Sequence, residues 1–149
     1  MAEDIYPMPA FAQLESTDLD RAARWYTEVL GFRTIFAAPG PDGHPLLVHL
    51  RGARYQDVLL TRTRTPREPG APVGTGIALY FQFWESWDDL AALAERARAA
   101  TNQGVEGPIE TPWNTREVRL RDPDGFLLVF SKGPVKEMAL SDLFPNAKS

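Results

Sequence analysis

The sequence contains no cysteine. That excludes a disulfide framework, a thiolate metal centre and a cysteine nucleophile. It also has no apolar run near the roughly 20 residues that span a bilayer. The opening MAEDIYPMPAF carries no basic stretch followed by an apolar one, so no secretory signal is expected. Basic residues are outnumbered, 16 against 20 acidic, for a net charge of −4. Thirteen of them are arginines scattered along the chain, where nucleic-acid binding needs a clustered basic face. From these absences the expectation is a cytoplasmic protein with neither a nucleic-acid nor a membrane partner.

What remains is ordinary for one compact domain: 149 residues, 44% hydrophobic and 24% charged. Aromatics are slightly rich at 11%, with four tryptophans. Ala10 to Ser16 alternates like a strand, and Thr17-Asp18 offers a helix N-cap. Leu19, Ala22, Ala23, Tyr26 and Leu30 then recur at helical spacing, widened by Trp25 and Val29, and Gly31 stands at the expected C-terminal cap. The spacing predicts a helix over 19–30. Strands are expected at Phe32 to Ala38, Pro45 to Arg51 and Asp57 to Arg62, separated by Gly- and Pro-bearing turns.

Arg64 to Gly74 has no periodicity and reads as a linker, after which the order repeats. Ile77 to Phe83 reads as a strand. Ser86 and Asp89 have capping-box spacing before a helix striped by Trp87, Leu90, Ala91, Ala94 and Ala97. Strands follow at Val105 to Thr111, Thr115 to Arg121 and Phe126 to Ser131, the last two joined by Asp122-Pro123-Asp124-Gly125. The tail suggests a short helix over 135–143. The chain is thus one domain with a module at about 10–62, a linker at 63–75, a second module at about 76–132 and a tail at 133–149. A repeat of about 65 residues in the order βαβββ fixes the architecture. The fold class is α+β, with two curved mixed sheets, each backed by its helix, round one ligand cup.

DLDRAARWYTEVLGF (Asp18 to Phe32) resembles the first-helix signature of the vicinal oxygen chelate superfamily, and RDPDGFLLVF (Arg121 to Phe130) resembles its closing hairpin. The match runs from about Ala10 to Lys132. The superfamily holds glyoxalases, extradiol dioxygenases, epimerases, fosfomycin-modifying enzymes and metal-free proteins that bind bleomycin or mitomycin, so fold alone chooses no function. The metal positions do discriminate. Counting along the family's pattern, the first-strand His falls on Phe11, the fifth-strand His on Gly76 and the last-strand Glu on Val129. None can ligate a metal. A two-residue offset on the first strand offers only Gln13, and one ligand does not make a divalent site. The resemblance is therefore nearest to the metal-free drug-binding resistance proteins, which implies no metal, no cofactor and no catalytic residue.

Period two assigns the cup lining. Phe11, Gln13 and Glu15 share the inward face of the first strand. Tyr80 and Gln82 lie inward on the fifth, with Gly76 and Ala78; Ile77, Leu79 and Phe81 are left for the core. Glu117 and Arg119 share a face of the seventh strand, and Val129 that of the eighth with Leu127 and Ser131. His49 alternates with Val48 and Leu50 and also turns inward, while His44 sits in a turn open to solvent. Trp84 ends the fifth strand at the rim. Trp113, beside Pro112 on the loop before the seventh strand, offers a flat stacking surface. Glu15 is expected to need a ligand or another partner, as an inward carboxylate on a central strand. Glu117 is expected either to bind a cationic ligand or to pair with Arg119. The ligand is expected to be a planar, partly polar natural product, sequestered by a homodimer whose contacts include Met138, Leu140, Leu143 and Phe144. The alternative is a lyase, isomerase or dioxygenase with an atypical or absent metal site and Glu15 or Glu117 as base.

Overall fold

The computed structural model describes residues 5–82, 89–100, 104–143 and 145–146. The first module runs β1 (Ala12–Ser16), α1 (Leu19–Glu28), β2 (Arg33–Pro39), β3 (Pro45–Arg51) and β4 (Asp57–Arg62). The second runs β5 (Leu79–Gln82), α2 (Leu90–Ala100), β6 (Glu106–Glu110), β7 (Arg116–Arg121) and β8 (Leu127–Lys132). A one-turn α3 (Leu140–Leu143) lies in the tail. Each module makes a four-stranded mixed sheet, ordered β1-β4-β3-β2 in one and β5-β8-β7-β6 in the other. The first strand of each pairs in parallel with the last, β1 with β4 and β5 with β8.

Asp18 caps α1 by accepting from the Arg21 backbone N–H at 3.1 Å. The helix stops at Glu28 because Gly31 takes a φ of +72°, a left-handed turn that suits a residue without a Cβ. Leu19, Ala22, Trp25 and Tyr26 bury its inner face against Val48, Leu50, Val58 and Leu60. In the second module Phe81 stacks on Phe130 at 5.2 Å, and Leu93, Val118, Leu120 and Leu128 complete a closed apolar layer. Gly107 sits at φ +104°, where a Cβ would collide with the backbone carbonyl of Glu117, so β6 can lie this close to β7 only with glycine there.

Several boundaries differ from the sequence expectation for visible reasons. Gly74 and Gly76 both take positive φ and the Ile77 N–H bonds back to Gly74, so a turn occupies the expected start of β5. Ile77 is 63% exposed as a result, not core, and Gly76 lies before the strand. On α2 the inner positions are Leu90, Leu93, Ala94 and Ala97. Ala91 is exposed because it falls off the i, i+3, i+4, i+7 row. Asp89 takes the capping role, its side chain accepting from Ala91 N–H at 2.8 Å and its carbonyl from Leu93 N–H. Ser86 and Trp87 lie outside the described residues, as do Phe83, Trp84 and Phe144. The tail is not helical from Val135 because Asn114 engages its backbone: Val135 and Lys136 donate to it, and Lys136 accepts from its amide.

The chain divides into two compact units, Met1–Ile77 with Arg121–Phe126, and Ala78–Leu120 with Leu127–Ser149. The turn between β7 and β8 thus belongs with the first module. Asp122 accepts from the buried Tyr26 hydroxyl at 2.9 Å and from the Phe126 and Asp124 N–H groups. Asp124 accepts from Thr17 and pairs with Arg67 at 3.1 Å. Arg67 also donates to the Glu15 carbonyl, so the Pro- and Gly-rich segment is pinned although it carries no helix or strand.

Candidate functional site

Each sheet has one face packed on its module's core and one face turned away from it. On the first sheet the second face carries Gln13 and Glu15 of β1, Leu59 and Thr61 of β4, and Leu47, His49 and Arg51 of β3. Gln13 is opposite Leu59, which is opposite His49, and Glu15 is opposite Thr61. Phe11 stands just before β1 and is 48% exposed. Because β1 pairs only with β4, it is an edge strand rather than a central one. Glu15 is half-buried, and among the described residues no hydrogen bond or ion pair reaches its carboxylate.

A polar knot that the sequence did not reveal lies at one end of that face. Buried Asp57 meets His49 Nε2 at 2.8 Å, Arg51 Nε at 2.7 Å and the Tyr6 hydroxyl at 2.8 Å. The Arg51 guanidinium lies 3.9 Å from the Tyr6 ring centroid, and Tyr6 accepts from the Tyr55 N–H. Burial pushes the Asp57 carboxyl up, but the bonds from His49, Tyr6 and Arg51 outweigh it and hold it below its ordinary value. Tyr6 is pushed above its ordinary value, mainly by burial. Tyr6 and Asp57 are far apart in sequence, and no motif joins them; the one available clue was an Asp opening a strand beside an alternating His. His44 is exposed as expected and meets Asp20 at 2.6 Å.

On the second sheet the corresponding face carries Tyr80 and Gln82 of β5, Val129 and Ser131 of β8, and Glu117 and Arg119 of β7. Glu117 is fully buried. One carboxylate oxygen accepts from the Trp113 indole N–H at 3.1 Å and the Thr115 hydroxyl at 3.2 Å, and the other from Arg119 at 3.3 Å. The same Arg119 nitrogen reaches the Tyr80 hydroxyl at 3.4 Å. Since β8 lies between β7 and β5, this bridge crosses the face of β8 that carries Val129. Trp113 is 44% exposed, on a turn held by Thr111–Thr115 bonds and by Asn114's grip on the tail. Its ring is fixed at the polar edge and open on its remaining surface.

The family's metal does not fit this chain. Phe11, a turn glycine at position 76 and the buried Val129 stand at the expected ligand positions. Among the described residues no three His, Asp or Glu side chains converge on a common point.

Two mixed four-stranded sheets, each built from a βαβββ module, define an α+β protein of the paired-module kind. The chain belongs to the glyoxalase/bleomycin resistance protein/dioxygenase superfamily, whose model matches residues 11–130. It is similar to TioX from Micromonospora sp. ML1, at 25% identity and a TM-score of 0.62, over 82% of this chain and 95% of that one. TnmS3, an antibiotic binding protein from Streptomyces sp. CB03234, shares the fold at 24% identity and a TM-score of 0.56, over 82% and 92%. So does lactoylglutathione lyase from Agrobacterium tumefaciens, at 23% identity and a TM-score of 0.57, over 89% and 98%. Among curated proteins there is no match. No helix among the described residues is long and apolar enough to cross a membrane.

Proposed function

We propose that the protein is a metal-independent binder of a small, planar organic molecule, acting in the cytoplasm to sequester an antibiotic or similar natural product. The observation that carries this reading is the donor set. The three family metal positions hold Phe11, Gly76 and Val129, and a guanidinium bridge runs across the last of them. A fixed cation beside that strand opposes a bound metal ion electrostatically. TnmS3, which shares the fold and is an antibiotic binding protein, supports the same direction. The ligand would lie on the face of Tyr80, Gln82, Glu117 and Arg119, with Trp113 as its stacking surface. A homodimer would cover sheet edges that each module leaves unpaired, since β1, β2, β5 and β6 each have one free edge within their sheets. Met138 is exposed and available to such an interface.

The test is elemental analysis of purified protein, joined to native mass spectrometry from a cell extract and resistance assays in a sensitive bacterium. Well under one metal per chain, a co-purifying organic mass and a raised inhibitory concentration for one compound are expected. One equivalent of Zn, Fe, Ni or Mn, or turnover of the bound compound, would overturn it.

One observation favours a second reading. His49 is held by the carboxylate of Asp57, which can fix the imidazole with Nδ1 as the unshared base, the arrangement used in general-base catalysis. That reading makes the protein a cofactor-free lyase or isomerase moving a proton with His49. It displaces Glu117 as base, because three donors already occupy that carboxylate.

A further inference from the structure

Two buried donors on the second sheet have no acceptor. The Ser131 hydroxyl is on a residue 1% exposed and bonds to nothing among the described residues; Nε of Arg119 is likewise buried and unbonded among them, although its side chain is 33% exposed. Both belong to the face turned away from the helix, on the adjacent strands β8 and β7. Ser131 lies two positions beyond Val129, the residue over which Arg119 reaches towards Tyr80. Native interiors rarely leave such groups unmet, so each marks a place where something else supplies the acceptor.

We propose that Ser131 and Arg119 form an oxygen subsite that takes a neutral carbonyl, such as a ketone, ester or amide, of the bound molecule. The inference rests on the ligand-binding reading above and names its ligand class. Charge decides between candidates. Arg119 is already balanced by Glu117 at 3.3 Å, so a carboxylate would bring an uncompensated charge into a buried place. A cation would meet the guanidinium, and the Glu117 oxygens it would seek are taken by Trp113, Thr115 and Arg119. A carbonyl oxygen has two lone pairs and no charge, so it can accept from two donors without adding charge to the site. The half-exposed Trp113 ring, tied to the same Glu117, then receives the flat part of the molecule. Of the two alternatives the sequence offered for Glu117, the structure forms the ion pair with Arg119, which favours a neutral ligand.

The test uses the full chain and three matched planar probes: fluorenone, fluorene and a fluorene carboxylate. Affinity is read by tryptophan fluorescence. The arginine Nε–H signals are read by NMR, with Arg119 identified by its loss in Arg119→Lys. Fluorenone should bind roughly tenfold more tightly than fluorene and more tightly than the carboxylate, and should alone move the Arg119 signal. Ser131→Ala should weaken fluorenone about three- to tenfold, leave fluorene unchanged and not lower the melting temperature of the free protein. Equal binding of fluorenone and fluorene overturns the subsite while the binding reading stands. A Ser131→Ala variant that melts early with its preference intact also overturns it, since the hydroxyl would then serve the scaffold or a water. Failure of all three probes to bind overturns both.

Discussion

The Asp57 knot and the Glu117 knot lie on the corresponding face of the two sheets, on different strands, and they are built differently. Both are buried carboxylates on the face turned away from the helix, each held by an arginine and an aromatic side chain. In the first, Arg51 is 4% exposed, sandwiched between Asp57 and the Tyr6 ring, and three donors converge on one carboxylate. In the second, Arg119 is 33% exposed at its side chain and spreads between Glu117 and Tyr80, and a buried nitrogen is left unmet. Fully satisfied polar networks rigidify, whereas an unmet buried donor calls for an explanation, here the proposed carbonyl subsite. The first knot, the clamp, ties the amino-terminal segment to the sheet, and the second is the proposed receptor.

If that contrast is right, breaking the clamp costs stability and breaking the receptor does not cost as much. Asp57→Ala leaves Arg51 buried without its carboxylate. Removing one partner of a buried pair typically costs about 3–5 kcal/mol. For a chain of this length the melting temperature should fall by roughly 10 °C or more. Thermal unfolding followed by circular dichroism measures it, and a fall of a degree or two would mean that Arg51 reaches solvent and the clamp is slack. Glu117→Gln keeps the shape and one acceptor for the Trp113 N–H, and Arg119 can turn to water. About 1–2 kcal/mol is expected there, read as a shift in urea midpoint. A loss equal to that of Asp57→Ala would erase the distinction between the knots.

Acid titration separates Asp57 from the third buried carboxylate, Asp122. The folded state holds Asp57 below its ordinary value, so its stabilisation is full above the unfolded pKa and is lost as pH falls through the folded one. Burial dominates at Asp122 and holds it above its ordinary value, against the bonds from Phe126 N–H and Tyr26. Its contribution is full below the unfolded pKa and is lost as pH rises through the raised folded one. Urea midpoints across the acid range should therefore lose part of their low-pH decline in Asp57→Asn, the remainder coming from groups such as Asp42 that are also held low. In Asp122→Asn they should fall more steeply with acid, relative to neutral pH, than in the parent. Parallel curves for the two variants would contradict the opposite environments.

Period two carried most of this into view from the sequence alone. It put Tyr80 with Gln82, Glu117 with Arg119, and Val129 with Ser131 on common faces, and the strands at 45–51 and 57–62 have the expected bounds. The two signature stretches are joined in the fold by the Tyr26–Asp122 bond, which gives their pairing a physical cause. What alternation could not supply was partnership across distance. Tyr6 finds Asp57 only because the chain folds back, and β1 becomes an edge only because it pairs in parallel with β4. The start of the second helix was read from the Ser86–Asp89 capping-box spacing; Ser86 lies outside the described residues, and Asp89 accepts from Ala91.

The smallest effect tests the comparison most sharply. Thr61 sits on β4 opposite Glu15, as Ser131 sits on β8 opposite Gln82, and each pair lies two residues along from Gln13–Leu59 and Tyr80–Val129 respectively. The repeat therefore places a hydroxyl at the same point of both faces, and Thr61 Oγ1 is likewise buried without an acceptor. A buried hydroxyl that makes no bond contributes only its desolvation cost, so Thr61→Val, which keeps the shape, should stabilise the free protein by up to about 1 kcal/mol. It should leave fluorenone binding untouched, because the unmet arginine nitrogen in that module, Nε of Arg67, belongs to a guanidinium already held by the Glu15 carbonyl, Thr63 and Asp124. Differential scanning calorimetry beside the fluorescence titration reads both quantities. A rise in melting temperature with unchanged affinity would make Thr61 a leftover of the repeat and Ser131 the functional copy. A loss of fluorenone affinity matching that of Ser131→Ala would instead make both faces part of the receptor, and the division into clamp and receptor would fall.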